Sequence, residues 1–296
     1  MSSEANNNTQ QLQAQATAAH PQKELKYKRT SLNQPQPGVF VLTMHKTSVD
    51  LALITEMNLR LDKVDAFKGT VALITTSSNS KIYNSGFDFQ VFNLEVSESV
   101  HIFREFGKLM ARIISCGYPT IAALNGHCFA AGLMLALSHD FRVMRDDYGV
   151  ICLPEIDLSS SFTPSMITNF KAKLDDHVLK RLAVFGEKFS PSQALEAKII
   201  DRVVKPECLV EFSLQLGKKL MVKSKFRSNM KDIKSMLYSG PIEDHLFKYQ
   251  GNMHAYGFFL KHKDEAILAL MKQNMEEKMR AKEAKEAKEA KTRAKL

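Results

Sequence analysis

The chain has 296 residues, of which 44% are hydrophobic, so it can bury the core of one large domain or two small ones. It contains no run approaching the roughly 18 apolar residues that span a bilayer, so no membrane span is expected. Its first residues lack the layout of a secretory signal or a transit peptide, so neither export nor mitochondrial import is expected. The net charge of +9 is concentrated at the two ends. The residues between them offer no basic face with interleaved aromatics, which argues against binding of nucleic acid.

The cysteines are spread along the chain and form no CxxC pair. Such spacing favours neither a zinc site nor a disulfide framework. We therefore expect no bound metal and reduced, mostly buried thiols at Cys116, Cys128, Cys152 and Cys208.

The chain begins with a polar segment. Residues 1–36 are rich in Asn and Gln, with prolines at the exit, and bury too little apolar surface to become ordered, so we predict a disordered N-terminal arm. From Gly38 the pattern changes abruptly. Residues 38–44 are β-branched and aromatic and predict a strand, and the amphipathic stretch from about residue 48 to residue 67 predicts a helix.

The alternation of strand and helix continues. A second buried strand is predicted over residues 70–78, a helix over 97–116 and a further strand over 119–126. This order predicts an α/β fold with largely parallel strands, followed after about Ser190 by an α-rich part.

After the arm, these patterns divide the chain into a core over residues 37–205, a C-terminal helical region over 206–240 and an extension over 241–296. The extension contains the run AKEAKEAKEAK, whose three-residue period winds the alanines around a helix without forming an apolar stripe. We predict a solvated single helix with a basic tail, in preference to a helix that binds a partner.

Three segments carry residues suited to chemistry: YNSGFDF (83–89), ALNGHCFAAGLMLALSHDFRVM (123–144) and LPEIDL (153–158). In the second, small residues at the start of a predicted helix let a ligand approach first-turn N–H groups that lack intrahelical partners, at the positive end of the helix dipole. In the first, Gly86 permits a turn whose next N–H, on Phe87, can point into the same cavity. Two such donors converging on one carbonyl oxygen would stabilise an enolate.

The three segments resemble the crotonase superfamily, whose loops have the form A-G-x-D and N-G-x-x-x-G-G-G, over about residues 38–238. The resemblance is greatest to the plant-type peroxisomal Δ3,Δ2-enoyl-CoA isomerases. It implies a crotonase-like spiral of ββα turns with a C-terminal helical trimerisation region and a homo-oligomer, either a trimer or a hexamer. It also implies acyl-CoA thioesters as ligands and no cofactor, since CoA is part of the substrate.

The resemblance also places functional residues in this sequence. The two oxyanion-hole N–H groups fall on Phe87 and Ala131. The neighbouring residues of the same loops are expected to bind the substrate: Ser85, Gly86, Asp88, Ala130 and Gly132. Of the two glutamates that hydratases of the superfamily use, the first position holds Met134, which cannot polarise water, and the second holds Glu155.

A single carboxylate is what an isomerase needs, because it can take a proton from C2 and return it to C4. The sequence therefore predicts a Δ3,Δ2-enoyl-CoA isomerase with Glu155 as the base. Two alternatives stay open: another crotonase reaction, such as hydration or thioester hydrolysis, and a catalytically inactive binding protein. The second is motivated by the serines at 159–161, where the superfamily usually has a Gly-containing loop, and by alanines in place of a Gly pair at 130–131.

Other polar residues near the motifs are weaker candidates. Asp157 ranks second as the base, with a different reach from the same segment. His127 and His139 lie beside apolar helices, where histidines are more often structural. Asp88 is expected to fix the Gly86 loop through hydrogen bonds.

The chain ends in Ala294-Lys295-Leu296, which resembles the S-K-L peroxisomal address. The tripeptide predicts a peroxisomal import receptor as a partner and the peroxisome as the location. This location fits an isomerase of fatty acid β-oxidation, which needs the step for unsaturated chains.

Overall fold

The computed structural model describes residues 29–158 and 160–243. The predicted arm before residue 29 and most of the predicted extension, from residue 244 on, lie outside the described residues. The strands are β1 (Thr30–Gln36), β2 (Val39–Met44), β3 (Ala72–Ser77), β4 (Ile82–Asn84), β5 (Thr120–Leu124), β6 (His127–Phe129), β7 (Phe141–Arg145), β8 (Ile151–Cys152) and β9 (Arg202–Val204).

The described helices alternate with these strands and then follow them. They are α1 (Leu51–Ala66), α2 (Gln90–Asn93), α3 (Val96–Ile114), α4 (Ala131–Leu137), α5 (Pro164–Lys173), α6 (Asp176–Ala183), α7 (Pro191–Glu196), α8 (Leu209–Met221), α9 (Arg227–Leu237) and α10 (Ser239–Glu243). Three 3₁₀ turns, at Ile156–Leu158, Pro206–Cys208 and Val222–Phe226, complete them.

A six-stranded sheet in the order β1-β2-β3-β5-β7-β9 forms the body of the molecule. In this sheet β1 pairs antiparallel to β2, and all the other neighbouring strands pair in parallel. The predicted α/β fold with largely parallel strands is therefore confirmed. Helices cover both faces, which explains why the strands are apolar on both sides. The larger core cluster includes Leu73 and Phe106, while Ile74 faces Leu214 of α8 on the opposite side.

A second, three-stranded sheet has the order β4-β6-β8, and both pairings are parallel. All three carboxyl ends therefore lie at one edge. Helix α4 begins at this edge and packs closely on β4: a Cβ on Gly132 would lie 2.4 Å from the carbonyl oxygen of Asn84. Only glycine fits there, so this residue sets how near α4 comes to the small sheet.

One prediction about an element boundary is wrong. The disordered arm was predicted to reach residue 36, but Thr30–Gln36 form β1. The carboxylate of Glu56, on α1, accepts hydrogen bonds from the N–H groups of Arg29 (2.9 Å) and Thr30 (2.8 Å), and this distant contact fixes the strand. The part after Ser190 is α-rich, as predicted; within it, the short strand β9 extends the large sheet before the helices resume at Pro206.

Within the described residues, no helix is both long and apolar enough to cross a membrane. Across the same residues, no group of three or more His, Cys, Asp or Glu side chains is placed to hold a metal ion. The four cysteines are free thiols; Cys128 and Cys152 are buried, while Cys208 is exposed.

Candidate active site

The small sheet brings the three motif segments to one edge. The Ser85–Asp88 loop follows β4, Ala130 and Ala131 follow β6, and Glu155 follows β8 by three residues. Because neighbouring strands are parallel, segments that follow their carboxyl ends lie side by side. The N–H of Ala130 donates to the carbonyl of Cys152 (3.1 Å) and ties the second segment to the third.

Gly86 brings the first loop against the second. Its φ is +95°, in the region that favours glycine. A Cβ at this position would lie 2.8 Å from the Cβ of Ala130 and 3.4 Å from the backbone nitrogen of Ala131. The structure thus brings the two predicted oxyanion loops into direct contact, and a side chain at residue 86 would push them apart.

The N–H of Phe87 is directed by a bridge to Val49. The carbonyl of Gly86 accepts a hydrogen bond from Val49 (2.8 Å), and the N–H of Asp88 donates to the carbonyl of Val49 (2.8 Å). In such a parallel bridge the residue between those two groups turns its own N–H to the opposite side. The ring of Phe87 packs edge-on against Phe103, with centroids 4.4 Å apart, and so anchors the loop on α3.

Ala131 is the first residue of α4, and Ala130 before it has φ +49° and ψ −125°. This conformation is strained for a residue with a Cβ. The carbonyl of Ala130 accepts from Leu133 (2.9 Å) and Met134 (3.1 Å), which starts the helix. Within residues 29–158 and 160–243, neither the Phe87 N–H nor the Ala131 N–H donates to an acceptor, so both are available to a ligand.

Glu155 is buried, with 7% of its surface exposed, and burial raises its pKa from 4.5 to about 7. Its Oε2 finds no hydrogen-bond partner among the described residues. The backbone carbonyl of Glu155 accepts from Leu158 (3.1 Å) and Ser160 (2.8 Å), and this turn fixes the segment. A desolvated carboxyl with a free oxygen and a pKa near neutrality can both accept and donate a proton.

Asp88 lies beside the Phe87 N–H but its carboxylate is held by protein groups. Oδ2 accepts from Ser48 (3.1 Å) and pairs with Lys46 (2.7 Å), and Oδ1 accepts from the N–H of Gln90 (3.0 Å). Burial opposes ionisation, yet these partners together lower the pKa of Asp88. Its carboxylate is therefore ionised and fixes the loop.

The remaining predicted residues occupy different positions. Ser85 is exposed, and its hydroxyl donates to the carbonyl of Thr47 (3.0 Å). Met134 is buried in α4. Asp157, the second candidate for the base, is exposed, which leaves its carboxylate hydrated.

Neither histidine joins this edge of the small sheet. His139 is fully buried, its Nε2 lies 3.0 Å from the hydroxyl of Thr75, and burial lowers its pKa to about 4. It is a structural residue, as predicted. His127 stands at the start of β6, with Nε2 3.0 Å from the Tyr148 hydroxyl, and burial lowers its pKa.

The segment between β2 and α1 was missed by the sequence reasoning. Lys46, Ser48 and Val49 hold the Gly86 loop through the contacts given above, but no motif marks them. The available signal was Asp50, a typical N-cap, whose Oδ1 accepts from the N–H of Leu53 (2.8 Å) and fixes where the segment ends.

A cavity of about 590 Å³ reaches the same loop from the side of α1, α2 and α3. Its described lining includes Lys46, Asp88 and Ile102 but neither Glu155 nor Ala131. It therefore opens beside Asp88 and is not lined by the residues proposed for the chemistry.

Comparisons with known proteins give consistent matches. A family model described as enoyl-CoA hydratase/isomerase matches residues 34–269. The chain is 32% identical over 176 residues to the peroxisomal enoyl-CoA delta isomerase 2 of Arabidopsis thaliana, covering 56% of this chain and 73% of the relative. It is 32% identical over 197 residues to enoyl-CoA delta isomerase 3 of the same plant, covering 62% and 82%.

Among solved structures, the human mitochondrial delta3-delta2-enoyl-CoA isomerase superposes with a TM-score of 0.77. The match covers 86% of this chain and 100% of that chain at 20% identity. At that identity the likeness shows the fold alone.

Proposed function

Because the chain belongs to the enoyl-CoA hydratase/isomerase family, we propose that it is a Δ3,Δ2-enoyl-CoA isomerase, which converts 3-enoyl-CoA to trans-2-enoyl-CoA. The observation that carries this proposal is the buried Glu155 carboxyl with its unpartnered Oε2, at the edge where the Phe87 and Ala131 loops meet. Curated relatives from Arabidopsis carry the name enoyl-CoA delta isomerase.

In the proposed mechanism the thioester oxygen accepts hydrogen bonds from the N–H groups of Phe87 and Ala131. The ionised Glu155 carboxylate removes a proton from C2, and the electron pair of that C–H bond forms a dienolate over the thioester oxygen and C1 to C4. The protonated carboxyl then delivers the proton to C4, which leaves the double bond between C2 and C3. Each N–H donor stabilises the dienolate by about 3 kcal/mol.

A pKa of about 7 suits both halves of this proton transfer. A stronger acid would be too weak a base toward C2, and a weaker acid would return the proton too slowly to C4. Hydration would require a second carboxylate to activate water. The position where the superfamily's hydratases carry it holds Met134, whose thioether cannot serve.

We place this activity in the β-oxidation of unsaturated fatty acids and in the peroxisome. Support comes from Ala294-Lys295-Leu296, which lies outside the described residues, and from two Arabidopsis relatives named as peroxisomal. Other relatives are named as mitochondrial. A homo-oligomer, a trimer or a hexamer, belongs to the same proposal.

Product analysis after incubation with 3-enoyl-CoA tests the proposal. The expected product has the mass of the substrate and the ultraviolet absorption of a conjugated thioester. A product heavier by one water identifies a hydratase, free CoA identifies a thioesterase, and unchanged substrate identifies a catalytically inactive protein. Any of these three results contradicts the proposal.

A further inference from the structure

The direction of the Phe87 N–H depends on contacts between its loop and the rest of the molecule. Gly86, with φ +95°, has the conformational freedom of glycine, and Ser85 before it is exposed. Catalysis by an oxyanion donor depends on a fixed direction, since a displacement of about 1 Å can reduce a rate by roughly 100-fold. The bridge to Val49 and the packing of Phe87 on Phe103 fix part of the loop, and the Asp88 carboxylate adds a further contact.

Asp88, which follows Phe87 in the chain, anchors the loop through its carboxylate. It is bound by the Ser48 hydroxyl (3.1 Å), the Gln90 N–H (3.0 Å) and the Lys46 ammonium (2.7 Å). Gln90 is the first residue of α2 and moves with the loop, whereas Ser48 and Lys46 belong to the segment before α1. The contacts with Ser48 and Lys46 therefore connect the loop to a separate part of the molecule.

Lys46 connects Asp88 to a rigid element. Its Nζ lies 2.7 Å from Oδ2 of Asp88 and 2.6 Å from Oδ2 of Asp50, which is the N-cap of α1. Asp50 is fixed by the N–H of Leu53 and by an ion pair with Arg29 at 3.2 Å. One ammonium group thus joins the start of a 16-residue helix to the oxyanion loop.

The ion pairs of Lys46 are partly shielded from water. The side chains of Lys46, Asp50 and Asp88 are 25%, 19% and 24% exposed, so the pairs are screened less than those of a free surface. Without the ammonium group, two carboxylates would face each other across the same space. Their repulsion would act on the Gly86 loop through Asp88, because Asp50 is held at the start of α1.

We propose that Lys46 is a positioning residue of the active site, which acts through Asp88 to keep the Phe87 N–H directed at the thioester oxygen. This inference rests on the proposed function. Lys46 then affects the rate of the reaction without contacting the reacting atoms and without transferring a proton.

The test compares Lys46→Met with two matched variants of the full chain. Lys46→Arg restores the cation, and Lys68→Met removes an exposed lysine that follows α1. We expect Lys46→Met to lower kcat by about 10- to 100-fold with KM within about twofold of wild type, because binding is kept and the donor is misdirected. Lys46→Arg should recover most of kcat, and Lys68→Met should match wild type.

A spectroscopic measurement separates positioning from a structural role. A saturated acyl-CoA labelled with ¹³C at the thioester carbonyl has no double bond to move, and its infrared carbonyl band shifts to lower frequency when oxyanion donors polarise it. We expect wild type and Lys46→Arg to show this shift and Lys46→Met to lose most of it. Ser48→Ala, which removes a different bond to Asp88, should reduce the shift partly.

Two results would overturn the inference. One is an unchanged kcat and carbonyl shift in Lys46→Met. The other is a raised KM with an unchanged shift, which would mean that Lys46 binds the substrate directly. Failure of the proposed function is distinguishable: wild type would then show no isomerisation, while loss of the carbonyl shift in Lys46→Met would still support positioning. If Lys46→Met does not fold, Ser48→Ala with an unchanged shift contradicts the inference.

Discussion

Replacing Glu155 with glutamine is expected to stabilise the fold, and increasingly so as the pH rises. The carboxyl is buried, and burial raises its pKa from 4.5 to about 7. The folded protein therefore holds this proton more tightly than the unfolded chain does. The stability contributed by the neutral carboxyl is fully present below about pH 4.5 and is lost as the pH rises through about 7.

The magnitude follows from the two pKa values. A pKa raised from 4.5 to about 7 corresponds to a free energy on the order of 3 kcal/mol, which is the cost of the ionised Glu155 in the folded state. Glutamine has a similar shape and does not ionise. The free energy of unfolding of Glu155→Gln relative to wild type should therefore increase by up to about 3 kcal/mol across this pH window.

Urea unfolding of wild type and Glu155→Gln, at one protein concentration and at several values from about pH 5 to 8, measures the difference. Asp157→Asn is the matched control: it removes an exposed carboxylate two residues along the same segment and keeps the buried Glu155, so it should not reproduce the pH-dependent gain of Glu155→Gln. The reasoning is refuted if Glu155→Gln differs from wild type by a constant amount, because a solvated carboxyl would give that result.

Three further predictions concern the second loop and the C-terminus. Ala131→Pro should abolish isomerisation while Ala131→Gly is tolerated, since proline deletes the N–H donor and glycine keeps it; equal loss in both, with unchanged circular dichroism, would indicate packing. Ala130→Gly should raise the free energy of unfolding by about 1 kcal/mol in urea titration, because φ +49° strains a side chain; no gain would show that this conformation is unstrained. Deleting Leu296 should shift the protein from peroxisomes to cytosol with kcat unchanged. Identical fluorescence images of the full-length and the shortened chain would refute Ala294-Lys295-Leu296 as a peroxisomal targeting signal.

The large sheet and its long helices could be predicted because their patterns are local. The strand predicted over residues 38–44 corresponds to β2, the helix predicted from about residue 48 to α1, and the helix predicted over residues 97–116 to α3 (Val96–Ile114). Each of these elements is long enough to repeat its apolar spacing several times. The crotonase-like fold class followed from the motifs and is confirmed by the match to the family and its solved structures.

The small sheet could not be predicted from periodicity. Strands β4 and β6 have three residues each and β8 has two, so none completes enough repeats to show an alternation. They were found only indirectly, since the three motifs that follow them were recognised as loops of one superfamily. β1 was missed for another reason: its order depends on Glu56, which lies 26 residues away along the chain.

The active site likewise contains residues that a local pattern reveals and residues that no local pattern reveals. Gly86, Ala131 and Glu155 stand in motifs whose residue types have a direct chemical reason, so their segments could be named from the sequence. The hold on Asp88 by Lys46 depends on ion pairs between residues 42 positions apart, which no local pattern encodes. The roles given to Phe87, Ala131 and Glu155 in catalysis stay predictions, as do the domain boundaries after residue 36.

Turnover of 3-enoyl-CoA by wild type and Glu155→Gln, followed through the absorbance of the conjugated thioester, tests the central claim most directly. Wild type should form trans-2-enoyl-CoA, with kcat/KM falling as the pH drops below about 7, where Glu155 becomes protonated. Glu155→Gln should bind the thioester with similar affinity and lose isomerisation by several orders of magnitude, because an amide cannot accept the C2 proton. Near wild-type turnover in this variant would contradict the proposed mechanism and remove Glu155 from it.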